Sequence, residues 1–187
     1  MKLTARIDAD IKSLESYFHR LLKVLDEAIL ENGSAPLEAQ DVESDESQAT
    51  YHRFDHFIKP DMLINIYNLL DFWLKEICRY HKLKNKLNLE YKDIKGNNEL
   101  HTYKKYLTEY VGLDLSAAED SYKYLDELRK VRNVFIHSGG HILENKEQEF
   151  SKLDGIIIQA SLIVVEEKYI WKMLGYTKSF LVTAANA

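Results

Sequence analysis

The stretch DMLINIYNLLDFWLKEICRYH, residues 61–81, decides the fold class. Met62, Ile66, Leu69, Leu70, Trp73, Leu74 and Ile77 recur at three- and four-residue spacing, which puts them on one face of an α-helix. The pattern predicts a helix from about Tyr51 to His81, with Pro60 at a break or first turn, as the central helix of the fold.

Outward from it the same spacing returns. Upstream, Ile7, Ile11, Leu14, Phe18, Leu21, Leu22, Leu25, Ala28 and Ile29 mark an amphipathic helix that Asn32-Gly33 stops. Between the two, residues 33–50 carry Glu38, Asp41, Glu43, Asp45 and Glu46, hold no aromatic residue and show no period, so a flexible acidic loop is expected there. Downstream, residues 82–98 are rich in lysine and turn formers, and Leu100 to Val111 predicts a shorter helix. Ser116 and Glu119 have the spacing of a capping box, and Tyr122, Leu125, Leu128, Val131, Arg132, Phe135 and Ile136 continue a helix to His137. Ser138-Gly139-Gly140 ends it. The β-branched pieces at 156–158 and 162–165 read as a small hairpin or as buried helix, and a last helix runs from about Glu166 to Phe180. The expectation is one all-α domain over residues 1–187, a bundle of five or six helices, with a hairpin near 156–165.

Composition agrees. The chain has 187 residues, 45% hydrophobic and 29% charged, with only 2 prolines and 7 glycines to interrupt helices. With 25 Lys and Arg against 30 Asp and Glu the net charge is -5, so any polyanion site must be a local patch. A single cysteine, Cys78, excludes an intrachain disulfide and suits a reducing, cytoplasmic setting. The most apolar run, 156–165, is ten residues, against the roughly 20 that a membrane-crossing helix needs, and no apolar signal run is read at the start. No membrane partner is expected.

Chemistry concentrates in LRKVRNVFIHSGG, residues 128–140. Six Arg and seven His would place an Arg five residues before a His by chance about 0.2 times, and requiring Asn after the Arg lowers this to about 0.01. On a helix Asn133 and His137 share a face, whereas Arg132 lies about 140° round and roughly 7.5 Å back from His137, within arginine's reach. Imidazole exchanges protons near neutral pH, and a guanidinium holds phosphate oxygens through paired donors. Next to an RNA phosphodiester, His137 would take the 2′-OH proton and Arg132 would stabilise the developing charge. The plainer alternative makes Arg132 a surface cation, Asn133 a helix-end polar group and His137 a cap favoured by the helix dipole.

At RNVFIH, with LDELRKV before it, SGGHI after it and LINIYNLLDFWLKEICRYH upstream, the sequence resembles the HEPN superfamily over Tyr51 to Phe180. The signature of that family is an Arg, four to six residues, then His, often beginning Arg-Asn. The resemblance implies a HEPN-like helical domain, a metal-independent endoribonuclease of toxin-antitoxin, abortive-infection or other defence systems, and a homodimer whose protomers share one cleft. It makes Arg132, Asn133 and His137 catalytic, RNA the substrate, and an antitoxin or immunity protein a partner, with no cofactor. It departs at Gly139, where family toxins paired with a nucleotidyltransferase antitoxin often carry Tyr, so nucleotidylation there is not expected. The alternative within the family is a non-catalytic module that binds RNA, a nucleotide or a protein.

A second candidate is an RNA-binding patch of Arg79, Lys82, Lys84, Lys86, Lys92 and Lys95 with Tyr80 and Tyr91 interleaved, since cations hold phosphates and aromatics stack on unpaired bases. Glu76, Glu90 and Asp93 dilute it, and a solvated lysine loop is the bland reading; Lys104 and Lys105 would extend it if the helices align. His52 and His56 are one turn apart but lack a zincin glutamate and a third ligand, so no metal is expected. His141 reads as a surface residue or an aid to His137, Cys78 as core, and Tyr103, Tyr106 and Tyr110 as a packing or dimer stripe.

Overall fold

The structure, a computed structural model, describes residues 3–33 and 43–187, with side chains over 3–27 and 56–187. Among these, six helices follow one another: α1 (Leu3–Gly33), α2 (Glu43–Lys84), α3 (Glu99–Lys105), α4 (Glu119–Ser138), α5 (Glu147–Phe150) and α6 (Glu167–Asn186). Strands β1 (Ile156–Gln159) and β2 (Leu162–Val165) form an antiparallel pair between α5 and α6. The protein is an all-α bundle with a small hairpin.

The apolar stripe of α2 lies in the core: Met62, Ile66, Leu70, Trp73, Leu74 and Ile77 are buried, and Leu69 packs beside them. Each buried side chain of this size contributes about 1.5–3 kcal/mol of transfer free energy, so the stripe alone fixes which way α2 faces. The indole Nε1 of Trp73 donates to Asp10 Oδ2 at 3.1 Å, and Arg6 stacks 5.5 Å from its ring, tying α1 to α2. Helix α2 shares the centre with α6, which packs on α1, α2 and α4.

Between buried-helix and hairpin readings of 156–165 the hairpin holds. Ile157 pairs Val164 and Gln159 pairs Leu162 across the two-residue turn Ala160-Ser161, whose φ values of 47° and 64° suit the twist of a tight hairpin. Ile156, Ile163 and Val165 are buried while Ile157 is 41% exposed, a period of two that a helix could not produce.

Several boundaries differ from the sequence reading. Part of the stretch expected as an acidic loop over 33–50 is helical: Gly33 ends α1 and α2 begins at Glu43, while residues 34–42 lie outside the described residues. Glu, Gln and Ala are good helix formers, and acidic residues suit a helix start, so the lack of an apolar period misled the reading. Pro60 lies inside α2 and does not end it. Ser116 is no cap for α4. It begins a 3₁₀ turn, Ser116–Ala118, and its own N–H donates to Asp114 Oδ1 at 2.9 Å. The shorter third helix passes at Tyr106–Tyr110 into a π turn, and α6 continues past Phe180 to Asn186.

Candidate functional site

The end of α4 is set by two glycines. Gly139 has φ 58° and its N–H donates to the Phe135 carbonyl at 3.0 Å. Gly140 has φ 92°, and a Cβ there would come within 2.9 Å of the Phe135 ring. The helix therefore stops one residue after His137, which stands exposed in the last turn with no hydrogen bond or ion pair to the described residues.

Arg132, five residues earlier, has different surroundings. Its guanidinium carbon lies 5.1 Å from the centre of the Tyr67 ring, and Nη1 donates to Asn133 Oδ1 at 3.1 Å. Its Nε is buried without a partner. An unsatisfied buried donor costs about 1–3 kcal/mol, so this N–H favours an incoming oxygen.

The arginine lines a pocket of about 180 Å³ between α2, the start of α3 and α4, with Tyr67, Asn68, Asp71, Asn98, Glu99, Arg129 and Asn133. Burial, then the nearby Glu99 carboxylate, pushes the Tyr67 phenol up to about 12, so it stays protonated under Arg132. Asp71 is engaged on both oxygens, accepting from the Tyr103 hydroxyl at 2.7 Å and the Lys75 ammonium at 2.6 Å. That hydrogen bond raises the Lys75 pKa. Arg129 Nε donates to Asp126 at 2.8 Å, leaving its terminal nitrogens for the pocket. Asn98 caps α3 by accepting from the His101 N–H at 2.9 Å, so its amide N–H₂ is spare. Two guanidiniums, three amides and one phenol make the pocket donor-rich, and the Asp71 and Glu99 carboxylates balance the guanidinium charge.

Arg132 and Asn133 thus come together, and His137 does not line their pocket. It lies one turn beyond Asn133 on the same face, so a strand leaving the pocket past Asn133 would meet it. Sequence reasoning missed Tyr67, Asp71, Glu99 and Arg129. Arg129 was readable, one turn before Arg132 on the same side of α4. Tyr67 and Asp71, four apart on α2, show no signal of their own until α4 is packed against them.

The six-cation patch separates into two groups. Arg79, Lys82 and Lys92 line a pocket of about 300 Å³ at the end of α2. Lys84, Lys86 and Lys95 are exposed outside it, Lys84 lying 5.8 Å from the Tyr80 ring centre. Lys82 is paired with Glu90, and Arg79 sits 3.8 Å from Glu76. Lys104 does not extend the group, being held by Glu119 at 2.6 Å over the Tyr122 ring.

The remaining candidates are placed as follows. Cys78 is buried, and desolvation pushes its thiol up to about 12, which suits packing rather than nucleophilic use. Tyr103 and Tyr106 are core and Tyr110 is exposed. His141 is exposed; so is His56, while the side chain of His52 lies outside the described residues. Among the described residues no three His, Cys, Asp or Glu side chains cluster as metal ligands, and no helix is long and apolar enough to cross a membrane.

No protein-family model, curated protein or solved structure matches this chain.

Proposed function

We propose that the protein is an endoribonuclease whose site is the Arg132 pocket together with His137. The observation that carries this is the half-buried Arg132, seated on Tyr67 and braced by Asn133, in a pocket that a second guanidinium, Arg129, also lines. His137 removes the 2′-OH proton, the 2′-oxygen attacks phosphorus, and Arg132 holds the charge that gathers on the equatorial oxygens. The P–O5′ bond then breaks and O5′ takes up a proton, leaving a 2′,3′-cyclic phosphate and a 5′-hydroxyl. A base and a fixed cation supply both needs of this step, so the reading requires no metal. In line with the HEPN resemblance, the protein acts as a homodimer, in which a second copy brings its own His137 to the Arg132 pocket, and as a toxin or defence effector restrained by an antitoxin or immunity protein.

The position of His137 outside the pocket favours a second reading, a non-catalytic module that binds RNA at Arg132. Incubating the protein with mixed cellular RNA in EDTA, beside His137→Ala, decides between them. Cleavage by the parent alone, with cyclic phosphate ends, supports the enzyme. RNA binding without cleavage, unchanged in His137→Ala, supports the module.

A further inference from the structure

The pocket at the end of α2 has features that a solvated lysine loop would lack. The last turns of α2 and the segment around Tyr91 line it, with the buried Tyr106 beneath. Its volume of about 300 Å³ falls at the lower end of ligand sites, which run from about 300 to 1,000 Å³. That is room for one nucleotide, not for a strand.

The lining divides by chemistry. Leu83 and Tyr91 give accessible apolar and aromatic surface over the buried Cys78 and Tyr106. Around them stand four cations, Lys75, Arg79, Lys82 and Lys92, against Glu76 and Glu90. Counting also Asp71, which holds Lys75, one positive charge is left over, in a chain of net charge -5. One phosphodiester would balance it. Arg79 and Lys92 are the cations least committed to carboxylates, Arg79 being 3.8 Å from its glutamate with its side chain 71% exposed.

The pocket also adjoins the Arg132 pocket: Asp71 lines one, its ion-pair partner Lys75 lines the other, and Asp71 to Arg79 is about 12 Å along the helix axis.

We propose that this pocket takes one unpaired nucleotide of an RNA strand, its base against Tyr91 and Leu83 and its phosphate on Arg79 and Lys92, while the strand continues along α2 to Arg132. The inference rests on the ribonuclease reading for what lies at Arg132, and makes the protein select single-stranded RNA with a base read at a fixed distance from the cut.

The test is a titration of the full chain, in EDTA, into a fluorescent 2′-O-methyl RNA octamer, which cannot be cleaved by 2′-OH attack. Arg79→Gln with Lys92→Gln should weaken binding about tenfold or more, whereas Lys95→Gln, an exposed cation outside the pocket, should stay within about twofold. The same octamer annealed to its complement should bind about tenfold more weakly, because a paired base cannot enter. Equal losses in Lys95→Gln and the double variant, no loss in the double variant, or equal binding of the duplex would each overturn the proposal. A mononucleotide that binds as tightly as the octamer, with the same dependence on Arg79 and Lys92, would overturn the strand in favour of a free nucleotide. The octamer cannot be cleaved, so its binding is read whether or not the chain cleaves RNA, and failure of this proposal is distinguished from failure of the ribonuclease reading.

Discussion

Arg132 and His137 sit five residues apart on α4, and the molecule treats them in opposite ways. The arginine has its plane fixed by Tyr67, one nitrogen fixed by Asn133 and another buried. The histidine has an exposed ring and no partner among the described residues. Arg132 is oriented by the fold before any substrate arrives, whereas His137 is free to be oriented by substrate or by a second copy. Preorganised charge is the usual source of transition-state stabilisation, and a proton carrier needs solvent contact to reload. Under the proposed ribonuclease reading, the difference gives electrostatic work to Arg132 and proton transfer to His137.

Separating the two by mutation gives the largest expected effects. His137→Ala should lower kcat for RNA cleavage about 10²–10⁴-fold, the usual worth of a positioned general base, and leave Tm unchanged because the ring is exposed, with no hydrogen bond or ion pair to the described residues. Arg132→Ala should cost about 10²–10³-fold in cleavage, and Arg132→Lys should not rescue it, since an ammonium cannot present paired donors from the same seat on Tyr67. A Tm loss in His137→Ala as large as that in Arg132→Ala would break the comparison, because both residues would then be structural. Cleavage measured beside thermal unfolding decides it.

A smaller effect belongs to the glycines that end α4. Gly140→Ala forces a side chain into φ 92° and against the Phe135 ring at 2.9 Å, which should cost about 1–3 kcal/mol. For a chain of this size each kcal/mol moves Tm by about 2–4 °C. Gly139→Ala meets no neighbour and carries only the strain of φ 58°, so its Tm should fall less. Equal losses would mean that the Phe135 contact relaxes freely.

The parts of this molecule that were legible in its sequence are those written in local spacing. The α2 stripe, the stop at Ser138-Gly139-Gly140 and the hairpin pieces all depend on neighbours within a few residues, and all stand where the spacing put them. The arginine pocket was half legible. Arg132 and Asn133 came from one short motif, but Tyr67, Asp71 and Glu99 join them only through the packing of α2, α3 and α4. The lysine patch shows the opposite limit: proximity in sequence grouped six cations, yet the end of α2 and the segment after it put Arg79, Lys82 and Lys92 in one pocket and leave the other three outside. The start of α2 was missed because helix propensity without an apolar period gives periodicity nothing to find.

A second histidine sharpens the contrast between exposed and buried groups. His81, at the end of α2, is 1% exposed, and its Nε2–H faces the Ala184 carbonyl of α6 at 3.3 Å. Burial lowers its pKa; the Ala184 hydrogen bond partly opposes this, and Lys84 adds a small push downward. Tyr80, packed edge-on at 5.1 Å, is the other polar ring beside it. The folded state therefore resists protonating His81 at a pH where the unfolded chain, near its ordinary 6.5, accepts the proton. Stability from this group is full above about pH 6.5 and is lost as the pH falls through the lowered folded value. Replacing it by His81→Gln removes the titration while keeping an N–H for Ala184. Between pH 7.5 and 5.5 the parent's Tm should therefore drop further than the variant's. An equal drop in the parent and in His81→Gln would mean that the acid sensitivity lies elsewhere and that burial of this ring does not carry it.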